Sequence, residues 1–408
     1  MNMLKLSWKY LISKPLNTGL NILLLALGLA IIAVLLLVQD QFESQMDKDA
    51  KGIDLVVGAK GSPLQLILSS VYHIDFPTGN IDMKEAKAVS RNRLIKNAIP
   101  LSLGDNYEGY RIVGTNYDYL ELYEVEFEKG KAWQKPFEVV LGQDVAKALQ
   151  LGVGDKFMGS HGIGSSSHEH DHHAYVVTGI LAKSGRVVDK LVLTSIESVW
   201  FTHYEEDEHD HSAMDRPVAT KGFPNTEGDR EITTLLIQYR SPMAAVQLPR
   251  FINSRSSLQA ASPTFEISRL FELLGVGIKM IKGLAFVIVS IAGLSIFIAL
   301  YNSLKERKYD LAVMRTIGAS KKQLFFHIVL EGIILTGLGA LVGILMGHLF
   351  LSILVIGQEQ GALSSITPWV FLKEEVWIVL FAVVVGVVAS IIPASGAYRT
   401  DIAKQLTK

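Results

Sequence analysis

The chain has 408 residues, 49% of them hydrophobic, with a mean hydropathy of +0.29, a net charge of −1 and a pI near 6.8. That is too apolar for an ordinary soluble protein, yet 19% of the residues are charged, so membrane spans joined to a soluble domain are expected. The near-neutral charge removes the electrostatic footprint of nucleic-acid binding, and the absence of cysteine removes disulfides, thiolate metal sites and cysteine nucleophiles.

Residues 1–15 carry Lys5, Lys9 and Lys14 among apolar positions and read as an amphipathic N-terminal segment. Residues 16–39 then run without a charge, and a hydrocarbon core of ~30 Å needs roughly 20 helical residues. This run is longer than a signal-peptide core and lacks a small-x-small cleavage site, so it is expected to be an uncleaved signal anchor. Residues 40–272 are long enough for a domain with one core or two subdomains. Short β-type runs at 54–57, 137–141, 175–181 and 191–193 alternate there with helical stretches at 83–90 and 143–151, which predicts an α+β domain.

From 265 to 282 the apolar positions Ile267, Leu270, Phe271, Leu274 and Ile278 recur at helical spacing. They lead into a second charge-free run at 283–304, so a continuous stalk helix is expected. Residues 324–351 hold one charge, Glu331, and 376–398 hold none, completing a four-span layout. The short segments 1–15, 305–323 and 399–408 are rich in Lys and Arg, which places them and both termini on the cytoplasmic side. The 352–375 loop has Lys373 as its only basic residue and belongs outside with 40–272.

The 305–323 link reads as a short surface helix over 306–317 that Gly318 ends, followed by Ser320 three residues before Gln323, a capping-box spacing that opens the third span. In that span Gly339, Gly343 and Gly347 recur every four residues and form a smooth face for close helix packing. Spacing leaves open whether the helix they meet belongs to the same chain or to a second copy. Glu331 is costly in lipid and needs protein, water or a polar partner, and a packing role outweighs ion transport.

Two features stand apart. His161, His168, His170, His172 and His173, then His203, His209 and His211, lie among Asp and Glu, a donor set suited to zinc, nickel or copper, although no ordered-site spacing is present and a solvated loop explains them as well. The stretch 55–81 holds an apolar run at 64–68 and His73; core packing is its plainer reading, and a membrane-proximal or substrate-cavity lining the sharper one. No nucleophile elbow, HExxH or paired-carboxylate context appears, so no catalytic residue is assigned.

Several of these segments together resemble the FtsX-like permeases of ABC transporters, of the MacB and LolC/LolE type. They are residues 4–15, the link KERKYDLAVMRTIGASKKQ at 305–323, Glu331 with the glycine face, and PASGAYRTDIAKQL at 393–406. In the outer domain IVGTNYDY at 112–119, FEVVLGQDVAKALQL at 137–151, Gly154-Asp155 and YVVTGIL at 175–181 look like that family's periplasmic core domain. The resemblance implies a bacterial inner-membrane permease that pairs with a second copy or a homologue and works with a dimeric cytoplasmic ABC ATPase. That partner would bring ATP and magnesium, because these residues contain no G-x-x-x-x-G-K-[ST] loop. The coupling positions would be Glu306, Arg307, Tyr309, Leu311, Met314, Arg315, Ile317 and Gly318, and the outer domain would move by mechanotransmission.

Three functions fit the resemblance: export or extraction of a lipoprotein, peptide or other amphiphile; non-transporting control of a periplasmic partner such as a cell-wall hydrolase; or a metal-handling variant of either that uses the histidine-rich loops. A periplasmic or outer-membrane protein docked on the outer domain would be compatible with each.

Overall fold

The structure is a computed structural model that describes residues 3–161, 174–203, 218–224, 230–356 and 366–398. Helix α1 (Met3–Ser13) breaks at Lys14, and α2 (Pro15–Ala50) starts on a proline, whose missing N–H costs nothing in the first turn of a helix. The domain then runs β1 (Leu55–Ala59), α3 (Pro63–Ser70), β2 (Ile81–Asp82), α4 (Met83–Ser90), β3 (Ile95–Tyr107), β4 (Tyr110–Thr115) and α5 (Tyr117–Leu122). It continues with β5 (Phe127–Gly130), β6 (Glu138–Leu141), α6 (Gln143–Leu149), β7 (Lys156–Phe157), β8 (Ser160–His161), β9 (Tyr175–Leu181), β10 (Val192–Ser195) and α7 (Ile196–His203). The remaining elements are β11 (Glu231–Ile232), β12 (Thr234–Tyr239), α8 (Met243–Arg255), β13 (Leu258–Ala261), α9 (Pro263–Glu306), α10 (Lys308–Thr316), α11 (Lys321–Ile356) and α12 (Glu375–Tyr398).

The chain divides into two compact units, residues 44–273 and the remainder. In the first, a mixed sheet runs β13-β1-β12-β3-β4-β10-β6-β9-β5. The long strand β3 joins two halves: its first part pairs antiparallel with β12 and its second with β4. The pairings β10 with β4 and β6 with β9 are parallel, which requires crossovers and not hairpins. Each half has its own core. One gathers Leu55, Val57, Leu235, Ile237, Leu248 and Ile252, the other Val139, Leu141, Val145, Phe157, Tyr175 and Val177.

The apolar run at 64–68 lies in α3, where Leu66 and Ile67 are fully buried. His73 is buried too; its Nε2 lies 3.1 Å from the Tyr119 hydroxyl, and burial, assisted by the nearby Arg111 charge, lowers it to about 3. The end of α2 is held in the same unit. Tyr72 and Tyr123 donate from their hydroxyls to the carbonyls of Met46 and Asp49, at 3.2 and 3.0 Å. The Asp49 carboxylate accepts from the Val187 N–H at 2.7 Å and from the Gln45 amide at 3.1 Å.

In the second unit, among the described residues, four helices are long and apolar enough to cross a membrane: α2, α9, α11 and α12. Their shared core includes Leu25, Leu29, Ala33, Val289, Ala292, Ile296, Ala340, Ile378 and Ala382. The glycine face of α11 meets α2 of the same chain. A Cβ at Gly343 would stand 2.8 Å from the Ala26 carbonyl oxygen and 3.0 Å from Leu29, and one at Gly347 would stand 3.1 Å from the Ala33 Cβ. On another face, a Cβ at Gly332 would come within 2.8 Å of the Gly386 carbonyl, so α11 and α12 also touch backbone to backbone. At the far end of α11, buried His348 reaches the Pro368 carbonyl at 2.5 Å and Glu375 at 3.2 Å. Gln41 of α2 exchanges two hydrogen bonds with the Thr367 backbone, at 3.0 and 2.7 Å. Together these fasten the chain entering α12 to both helices.

Two outcomes follow. Gly343→Leu should destabilise the helical unit by on the order of 1–3 kcal/mol, because the clash is with backbone that cannot swing away; Gly337→Ala, with open space around it, should leave the melting temperature in detergent unchanged. Burial pushes Asp49 up to about 6, against the hydrogen bonds from Gln45 and Val187 that favour its charged form. A group raised on folding contributes stability below its ordinary value and loses it as pH rises through about 6. Calorimetry of the full chain should therefore show the domain transition falling across that window, and Asp49→Asn, which keeps an acceptor for Val187, should flatten the fall.

Candidate functional site

The link between α9 and α11 is built from its two ends. Arg307 interrupts the helix with φ −98° and ψ 12°, so Glu306 is the last residue of α9, and the short helix begins at Lys308, two residues later than the spacing suggests. Leu311 and Ala312 are buried and Met314 is half-buried, packed on Leu304, Leu324, Ile328, Ala394 and Ala397. Arg315 is half-buried. The other face carries Tyr309 and Ile317, which are 61% and 81% exposed.

The second end is closed by local chemistry. Gly318 adopts φ +107°, where a side chain would be strained, and the N–H groups of Gly318 and Ala319 donate back to the Arg315 and Met314 carbonyls at 3.1 and 3.0 Å. Ser320 and Gln323 then bond reciprocally: the Ser320 N–H donates to Gln323 Oε1 at 2.8 Å, and the Gln323 N–H donates to Ser320 Oγ at 3.2 Å. The two motifs leave a single residue, Ala319, between them. Helix α10 is thereby joined to α11 through a corner with little backbone freedom.

Behind the link lies a polar cluster that sequence reasoning missed. Arg307 turns inward, its side chain 15% exposed, and its Nη1 donates to Glu331 Oε1 at 2.9 Å. Its guanidinium lies 3.8 Å from the centre of the Tyr10 ring, and Nη2 donates to the Tyr10 carbonyl at 3.5 Å. The Tyr10 ring tilts against His327, whose Nδ1 is 2.8 Å from the Ser7 hydroxyl. Nearby, Lys14 pairs with Glu306. The usable signal was the four-residue step from His327 to Glu331, which puts both on one face of α11 facing α1.

The structure thus separates the link residues into groups. Arg307 joins Glu331 inside; Leu311 and Met314 pack; Gly318 shapes the corner; Tyr309 and Ile317 present an apolar, aromatic surface. Gly339, Gly343 and Gly347 lie further along α11 against α2. Of the histidines, His168, His170, His172, His173, His209 and His211 lie outside the described residues. His161 ends β8 and His203 ends α7, but their side chains also fall outside. Among the described residues no His/Asp/Glu group is arranged to hold a metal ion.

The chain matches the MacB-like periplasmic core domain model over residues 18–247 and the FtsX-like permease C-terminal model over residues 282–402. It is 22% identical to the pyoverdine export ATP-binding/permease protein PvdT of Pseudomonas putida, over 99% of this chain and 59% of that protein. It is 27% identical to the uncharacterized ABC transporter permease YknZ of Bacillus subtilis, over 31% of this chain and 32% of the relative. The matched part thus spans less than two thirds of either relative. The periplasmic region of MacB from Actinobacillus actinomycetemcomitans aligns with 56% of this chain and 97% of its own, at 12% identity and a TM-score of 0.35. The two family matches, one on each side of residue 247, show that the chain belongs to the FtsX-like, MacB-like family of ABC transporter permeases.

Proposed function

We propose that this permease is driven by an ABC ATPase, absent from these 408 residues, that docks on the exposed face of α10. The observation that carries the reading is the pairing of two properties in one short helix: Tyr309 and Ile317 lie open to solvent, while the residues beneath them are packed and the following corner is locked. A large aromatic and a large aliphatic side chain left exposed on a fixed support have the character of a protein contact. The Lys and Arg excess of the link supports a cytoplasmic position for this face, where ATP is available, and the inner membrane of a bacterium is then the expected location.

The work would be done outside. Helix α9 runs unbroken for 44 residues and α2 for 36, each longer than the roughly 20 residues that a bilayer needs. Residues 44–50 of α2 and 263–273 of α9 fall in the 44–273 unit, and the rest of each helix falls in the other unit. This suits mechanotransmission, with two permease copies and two ATPases acting on a lipoprotein, peptide or other amphiphile. Glu331, the acidic residue within the third span, has a cation of the same chain in Arg307, which favours a moving lever over an ion path.

Tyr309→Asp and Ile317→Asp should each abolish co-purification of an ABC ATPase and reduce ATP turnover of the membrane fraction to the level without permease. Chains that keep the ATPase and its turnover despite both changes would overturn the docking face.

A further inference from the structure

We propose that Arg307 is the positioning residue that fixes the angle between α9 and α10, so that movement of the link is passed on to α1, α9 and α11 together and not absorbed at the break. The inference rests on the docking reading above and deepens it.

The break needs such a residue. Arg307 has backbone angles between the helical and extended regions, and no side chain caps the start of α10. One residue of non-helical backbone between two helices is a place where they can bend, and hinges of this kind need only a few residues. The opposite end of α10 has no such freedom, since the Gly318 turn and the Ser320–Gln323 pair follow each other directly. A push on α10 would therefore turn it about Arg307, where the backbone bonds Arg307 N–H to Ser303 and Leu311 N–H to Arg307 span the break, unless side chains also hold the joint.

The Arg307 side chain is placed to do so from three directions. The Glu331 carboxylate on α11 holds one guanidinium nitrogen, the Tyr10 carbonyl on α1 takes another, and the Tyr10 ring covers the flat face. Only a planar, multi-donor cation satisfies all three, because an ammonium group is a point charge that cannot both fork and stack. The site is also dry: Glu331 is 5% exposed in its side chain, so its partner cannot be replaced by water without cost. The Ser7–His327 contact keeps α1 seated beside the same stretch of α11. The neighbouring Lys14–Glu306 pair ties the residue after α1 to the end of α9, but its side chains are 39% and 59% exposed, and exposed pairs hold geometry weakly. It serves as an internal control.

The chain has no cysteine, so two introduced cysteines report alone. Spin labels at Ser290→Cys on α9 and Thr316→Cys on α10, in full-length chain diluted with unlabelled chain in nanodiscs, measure the angle of the break as a distance. Arg307→Lys, Glu331→Gln and Tyr10→Ala should each broaden the distance distribution by roughly twofold, while Tyr10→Phe and Lys14→Ala should keep the wild-type width. In complexes that retain the ATPase, Arg307→Lys should abolish the nucleotide-dependent change in that distance. Unaltered widths in Arg307→Lys and Glu331→Gln would overturn the proposal, as would broadening by Lys14→Ala equal to theirs. If no ATPase binds even the wild-type chain, the docking reading fails on its own, and the widths still judge the joint.

Discussion

A carboxylate set inside an otherwise apolar helix governs the link end of the bundle. A carboxylate is costly in that setting without a cation, and Glu331 has one in Arg307, whose Nη1 lies 2.9 Å away at the junction of two helices. The helix leaving α9 breaks at that same residue. The short helix that follows is thereby turned so that Leu311 and Met314 pack and Tyr309 and Ile317 do not. The exposed face and the buried ion pair are two consequences of one arrangement.

The remainder of the bundle depends on a different economy. Lipid tails are as apolar as the side chains they meet, so helices associate through close packing and not through exclusion of water. Here glycine and alanine supply it. Gly343 and Gly347 let α11 approach α2, Gly332 and Gly386 let α11 approach α12, and Ala292, Ala340 and Ala382 fill the centre. Helix α11 is consequently in contact with α2 at Gly339, Gly343 and Gly347, with α12 at Gly332, and with α1 at the end where Glu331 lies.

What the sequence disclosed and what it withheld divide along the range of the interactions. The spans depend on the sum of neighbouring residues, so charge counting finds them. Gly318 and the Ser320–Gln323 pair act over three residues and could be read directly. The partner of Glu331 lies 24 positions away, and the ring that covers that partner lies 297 away, with no local pattern to announce either. The start of the short helix was read two residues early: composition favours helix through Arg307, whose backbone angles leave the helical region. The domain shows the same division. Four of its strands, β1, β6, β9 and β10, were visible as β-type runs, but the insertion of β10 between β4 and β6 joins strands distant in sequence, and only the structure orders them.

The central claim is that the outer face of α10 carries the ATPase. Photo-crosslinking in intact cells tests it most directly, with a light-activated residue placed in turn at positions 309, 317 and 311. The account predicts capture of an ATP-binding-cassette protein from 309 and 317 and none from 311, where Leu311 is buried. Capture of no such protein from the two exposed positions, or equal capture from all three, would contradict it.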